Sequence, residues 1–134
     1  MNEFSFGIIG NGSIAKKHIK LIKKNFPNSE IKVLIHKNKV ESKNKLKYFY
    51  EDKFFFKNKF KFVLICNPST RHIEYIEKCI NNNIENIFVE KPISSNFIKL
   101  QKFMNQYSIF KNKILVGYVL INNKLFLKTL KLIK

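Results

Sequence analysis

Arginine is nearly missing from this chain: Arg71 stands alone beside 25 lysines. That shortage removes the side chain a dedicated nucleic-acid surface uses for bidentate contacts to phosphates and base edges. The net charge of +17 and pI near 10.0 would otherwise direct attention to nucleic acid or an anionic membrane surface. The lysines instead run through the whole chain among Asn, Ile and Phe, all residues of A/T-rich codons, so the basicity reads partly as compositional bias and no specific nucleic-acid partner is expected. Cysteine is scarce as well. Cys66 and Cys79, in a chain with no secretory signal, argue against a disulfide framework and for a reducing compartment. No Cys-x-x-Cys pair occurs and His18, His36 and His72 are scattered, so no metal site is expected. Lysines interrupt every apolar run before transmembrane length, which excludes a membrane span and points to a soluble, cytoplasmic protein. Internal repeats and low-complexity linkers are lacking too.

What is present is enough apolar material for one core. With 134 residues, 45% of them hydrophobic and 14% aromatic, the chain has the size and composition of about one folded domain. Its organising stretch runs from Phe4 through Phe6, Gly7, Ile8 and Ile9 into Gly10-Asn11-Gly12-Ser13-Ile14-Ala15 and on to His18. This reads as a strand, a tight turn and a helix start. Gly10, Gly12 and Ala15 fit the GxGxxG/A pattern: the first glycine permits the turn, the second lets backbone approach a pyrophosphate, and the third small residue lets helix and strand pack closely. Free N–H groups at the helix start suit an anion. Taken alone, the same glycines also describe an ordinary strand-to-helix turn.

The rest of the chain alternates in kind. Ser13 is placed to cap a helix running to about Asn25, with Ile14, His18, Ile19, Leu21 and Ile22 at helical spacing. Ile31–Ile35 reads as a buried parallel strand. Residues 40–50 fit a lysine-rich helix closing on aromatics, and Phe54-Phe55-Phe56 a short third strand, read mainly as core. Phe60–Cys66 is a strand stopped by Asn67-Pro68; Ser69 or Thr70 caps a helix with Ile73, Ile76, Cys79 and Ile80 inward. Ile84–Val89 leads as a strand into Glu90-Lys91-Pro92, and Ser94 or Ser95 opens a helix through about Tyr107. A last strand spans Ile114–Leu120, and Asn122–Ile133 is an amphipathic helical piece carrying Leu125, Phe126, Leu130 and Ile133. The order predicts an α/β, doubly wound parallel sheet of the Rossmann dinucleotide-binding type. Cys66, at a strand end, and Cys79, on a helix stripe, read as structural thiols.

Three signals fall in order at strand ends: Gly10-Asn11-Gly12-Ser13-Ile14-Ala15, Asn67-Pro68-Ser69-Thr70-Arg71-His72 and Glu90-Lys91-Pro92. Together with Val116-Gly117-Tyr118 they resemble the N-terminal NAD(P)-binding domain of the Gfo/Idh/MocA (glucose-fructose oxidoreductase / inositol dehydrogenase) family. The resemblance implies that Gly10, Asn11, Gly12, Ser13 and Ile14 line the pyrophosphate, and that His36 and Lys37 sit by the adenosine ribose. It implies that Cys66, Asn67, Pro68 and His72 line the approach to the nicotinamide ribose, with Glu90 and Lys91 nearest the ring. Lys91 is the implied catalytic residue, hydrogen-bonding a sugar or polyol hydroxyl and assisting its deprotonation during hydride transfer. The end of the second strand offers His36-Lys37-Asn38-Lys39 where an NAD site places Asp or Glu, so the expected cofactor is NAD or NADP with a lean to NADP tolerance.

The departures set the second expectation. Residues 1–120 make the dinucleotide-binding domain, and 121–134 the crossover and start of a substrate domain that family members carry in full. Where relatives read Gly-Tyr-Asn-x-Arg-Phe-His-Pro, this chain has Gly117-Tyr118-Val119-Leu120-Ile121-Asn122-Asn123-Lys124. An incomplete dehydrogenase is therefore weighed against a noncatalytic NAD(P)-binding or partner-docking module. Self-association or a companion subunit is expected to cover the apolar area a missing domain leaves.

Overall fold

The structure, a computed structural model, describes residues 4–36, 46–118 and 124. Six strands form one parallel sheet in the order β3-β2-β1-β4-β5-β6. They are β1 (Ser5–Ile9), β2 (Glu30–Leu34), β3 (Lys47–Phe49), β4 (Phe62–Ile65), β5 (Ile87–Val89) and β6 (Ile114–Val116). Helices α1 (Ser13–Asn25), α2 (Asp52–Phe55), α3 (His72–Asn81) and α4 (Phe97–Tyr107) connect them. β1 is central, its Phe6 level with Ile31 on one side and Phe62 on the other. Strand order reverses there, between β1 and β4, and in such sheets that point opens the ligand crevice.

Alternation along the strands sends successive side chains to opposite faces. Ile8, Val33 and Leu64 pack with Ala15, Ile19 and Ile22 of α1. Ile9, Leu34, Val63, Ile65 and Val89 pack with Phe55 of α2, Tyr75, Ile76 and Cys79 of α3, and Phe103 of α4. Being wrapped on both sides, the strands carry near-continuous Ile, Val and Leu. Cys79 is fully buried in this core, the structural place expected of it.

Several local expectations are corrected. Phe54–Phe56 is not a strand: Phe54 and Phe55 lie in α2, with Phe56 at its C-cap. A single helical turn sends Phe55 wholly into the core and leaves Phe54 45% exposed, which resolves how three adjacent phenylalanines are accommodated. The third strand is supplied by Lys47-Tyr48-Phe49, so the aromatic end of the expected lysine-rich helix is extended and pairs with Lys32–Leu34; residues 40–45 lie outside the described residues. Ser13 is the first residue of α1, not its cap, which is Gly12. Ile14 and Leu21 face solvent, while Ala15 joins Ile19 and Ile22 in the buried stripe. Neither Ser69 nor Thr70 caps α3: both belong to a 3-10 turn, Ser69–Arg71, that precedes it. The cap of α4 is Asn96, whose side chain accepts from the Lys99 N–H at 2.9 Å, just after the expected Ser94 or Ser95. Residues 119–120 of the expected last strand and the amphipathic piece 122–133, apart from exposed Lys124, lie outside the described residues.

Candidate functional site

The parallel strands deliver their C-terminal ends to one edge. At β1 the chain turns at Gly10, whose N–H donates to the Leu34 carbonyl at 2.9 Å and whose φ is +111°. A β-carbon there would lie 2.9 Å from Asn67 N and from Cys66 C and O, so backbone from the end of β4 packs directly on the turn. Gly12 is the opposite case, exposed and with nothing within 4 Å of where its β-carbon would stand. It opens α1 with no side-chain cap and no acid in the first turn, which leaves the first helical N–H groups available to an anion.

At the end of β4, Cys66 donates its N–H to the Ile9 carbonyl at 2.8 Å. Burial, reinforced by the Glu90 charge, pushes its thiol up to about 12, so it stays protonated and inert. Beside it, Asn67 Nδ2 and Oδ1 are both buried and lack a hydrogen-bond partner. Such an amide is costly to leave empty-handed. Pro68 is exposed, and His72, only 1% exposed, turns its ring back between two loops. Its Nε2 lies 2.7 Å from the Asn67 carbonyl and its Nδ1 2.8 Å from the Pro92 carbonyl. His72 therefore braces the cleft walls and does not line them.

At the end of β5, the Glu90 N–H donates to the Ile65 carbonyl at 3.0 Å, and its carboxylate accepts from His18 Nε2 at 2.6 Å. Lys91 follows, exposed, joined to Pro92 by a cis peptide. At the end of β2, His36 stacks on Tyr75 with ring centroids 5.8 Å apart. Its Nε2 meets the Tyr75 hydroxyl and lies 3.3 Å from Asp52 Oδ1. Around it, Tyr75 donates to Asp52 at 3.1 Å and accepts from Arg71 at 3.0 Å, Lys78 bridges Asp52 and Glu74, and Arg71 grips both Glu74 oxygens at 3.1 Å. Those bonds pull the Glu74 carboxyl down to about 2, while burial raises the Tyr75 hydroxyl. The one arginine is thus committed within the fold.

The structure gathers Gly10, Asn11, Gly12, Ser13, Ile14, Cys66 and Asn67 around one turn and ties Glu90 to it through α1. His36 belongs to a separate network, and Lys37 lies outside the described residues. Sequence reasoning missed His18, Asp52 and Tyr75. A signal existed for His18, a polar residue on the buried side of α1; Asp52 and Tyr75 meet only in the folded chain. The site fits a dinucleotide on two observations: an uncapped helix start with open space over Gly12, and an orphaned amide at Asn67. Among the described residues no group of three or more His, Cys, Asp or Glu gathers as metal ligands, and no helix is long and apolar enough to cross a membrane.

Solved structures share this fold. The scyllo-inositol dehydrogenase of Lactobacillus casei, with bound NAD(H) and scyllo-inositol, superposes with a TM-score of 0.81 at 19% identity, over 98% of this chain and 41% of that one. A myo-inositol dehydrogenase of Corynebacterium glutamicum gives 0.76 at 17% identity, over 87% and 36%. The WlbA dehydrogenase of Chromobacterium violaceum, in complex with NADH and UDP-GlcNAcA, gives 0.69 at 15%, over 85% and 34%. These likenesses are of fold, and the chain spans well under half the length of each. No curated protein matches. The description "oxidoreductase family, NAD-binding Rossmann fold" matches residues 4–118, which contain all six described strands, and the chain belongs to that family, Gfo/Idh/MocA.

Proposed function

We propose that the chain binds NAD or NADP as the dinucleotide domain of an oxidoreductase acting on a sugar or polyol. The observation that carries this is the pairing of the open helix start at Gly12 with the unpartnered Asn67 amide across the Gly10 turn. Gly10, Asn11, Gly12, Ser13 and Ile14 hold the pyrophosphate; Cys66, Asn67 and Pro68 border the nicotinamide ribose, with His72 behind them. The lack of Asp or Glu at positions 36–39 supports tolerance of NADP, with His36 and Lys37 as the residues this reading assigns to the adenosine ribose.

A bound dinucleotide would supply the hydride acceptor for the substrate carbinol. Lys91 hydrogen-bonds the substrate hydroxyl, and the hydroxyl proton passes to its Nζ as hydride leaves the carbinol carbon, so that the C–O bond becomes a carbonyl. In this reading residues 1–120 are the cofactor domain of a cytoplasmic protein and 121–134 the crossover toward a substrate domain. Titration with NADH and NADPH tests it: saturable binding of at least one below millimolar concentration is expected, and no binding of either at millimolar concentration overturns it.

A second reading, a module that docks on a companion subunit or a second copy, is favoured by an open groove of about 380 Å³ on the α1 side of the sheet, lined by Phe62, Phe88 and Leu115 among others. Leu115 is 66% exposed there. Light scattering separates the readings: a clean monomer counts against self-association.

A further inference from the structure

We infer that His18 is a positioning residue for Lys91, acting through Glu90; this rests on the cofactor reading above. His18 lies on the second turn of α1, the helix that starts at the glycine turn, and its Nε2–H donates to Glu90 Oε1 at 2.6 Å across 72 residues of sequence. The two side chains are 20% and 14% exposed, so water competes weakly for the bond. The Phe88 ring packs on the imidazole edge to face, with centroids 5.2 Å apart. Glu90 is also held by its own backbone to Ile65.

Lys91 thereby stands between two residues that histidines hold from opposite faces of the sheet. On one side His18 of α1 grips the Glu90 carboxylate; on the other His72 of α3 contacts the Pro92 carbonyl at 2.8 Å. The His18 link is the one that runs to the pyrophosphate turn. It joins the element that receives phosphate to the element that presents the lysine, so that the nicotinamide end of the cleft is registered against the phosphate end. A histidine kept only to bury a helix face would not require the carboxylate partner.

The test compares NADH with ADP-ribose, which has the same pyrophosphate and adenosine but no nicotinamide. In His18→Ala the NADH dissociation constant should rise about tenfold, the worth of one charge-assisted bond, while that of ADP-ribose moves less than about twofold. His18→Gln, which retains a donor for Glu90, should restore NADH binding to within about threefold. Equal weakening for both ligands would assign His18 to placing α1 as a whole, and an unchanged NADH constant would remove it from the site; either overturns the inference. Amide hydrogen exchange decides the matter without ligand: His18→Ala should accelerate exchange at the Glu90 amide, which donates to the Ile65 carbonyl just before Lys91, and His18→Gln should not. Unchanged exchange at Glu90 overturns the positioning role even if NADH binds. A wild type that binds neither ligand overturns the cofactor reading and leaves the exchange result to judge the link itself.

Discussion

Replacing Gly10 by alanine puts one methyl group where the fold has no room for it. The backbone there has φ +111°, a conformation that L side chains rarely adopt, and holding it costs about 1–3 kcal/mol. The new β-carbon would also stand 2.9 Å from Asn67 N, Cys66 C and Cys66 O. These are backbone atoms at the end of a central strand, whose N–H is already engaged with Ile9, so they yield only by disturbing the β1–β4 ladder. Overpacking of that kind adds about 1–3 kcal/mol, while the reduced freedom of the unfolded chain returns less than about 1 kcal/mol. A net loss of about 1–6 kcal/mol is a large share of a domain's stability and should lower the melting temperature by about 4 °C or more. Urea and thermal unfolding followed by circular dichroism give the number. A variant that melts within about 2 °C of wild type would mean that the turn does not press on β4, and the account of how the cleft is shaped would fail.

The other perturbations separate stability from binding. Gly12→Val meets open space and keeps an extended φ of −73°, so it should melt within about 2 °C of wild type yet lose dinucleotide binding; retained binding would place the pyrophosphate elsewhere. The Glu74 carboxyl is lowered from 4.5 to about 2, first by its bonds from Arg71. A depressed folded value stabilises above the unfolded one, so this contribution is present above pH 4.5 and fades as pH falls toward 2. Because Glu74 is half exposed, solvent screening reduces it to about 1 kcal/mol. The stability gap between wild type and Glu74→Gln should accordingly close over that interval, and a gap independent of pH would refute the assignment. Burial pushes both thiols up, so at about pH 8 a thiol reagent should react with Cys66 and Cys79 only as fast as the chain opens; a rapid phase from either would contradict their burial.

The parts legible in the sequence were those governed by local rules. An apolar run broken by Gly10 and Gly12 announces a strand, a turn and a helix, and Ser13–Asn25 follows as the periodicity requires. Phe54–Phe56 misled because a run of large apolar residues looks alike whether a sheet or a single helical turn buries it. Phe55 alone needed burial, and α2 supplies it, while the modest Lys47-Tyr48-Phe49 takes the strand position through pairing with β2. The polar architecture was the least legible. His18 meets Glu90, and His36 meets Asp52 and Tyr75, only because the topology stacks the strand ends, and no spacing in the chain encodes those pairs. His72 shows the converse: its place in the motif was readable, but its nearly complete burial and its two carbonyl contacts were not.

The central claim is that the Gly10–Ile14 turn and Asn67 form a dinucleotide site, and amide chemical-shift mapping addresses it directly. With saturating NADH or NADPH added to the isotopically labelled chain, the largest shifts should fall on the backbone amides of Gly12, Ser13 and Ile14 and on the Asn67 side-chain amide. Shifts confined to the open groove around Phe62, Phe88 and Leu115, or no shifts at all, would contradict it.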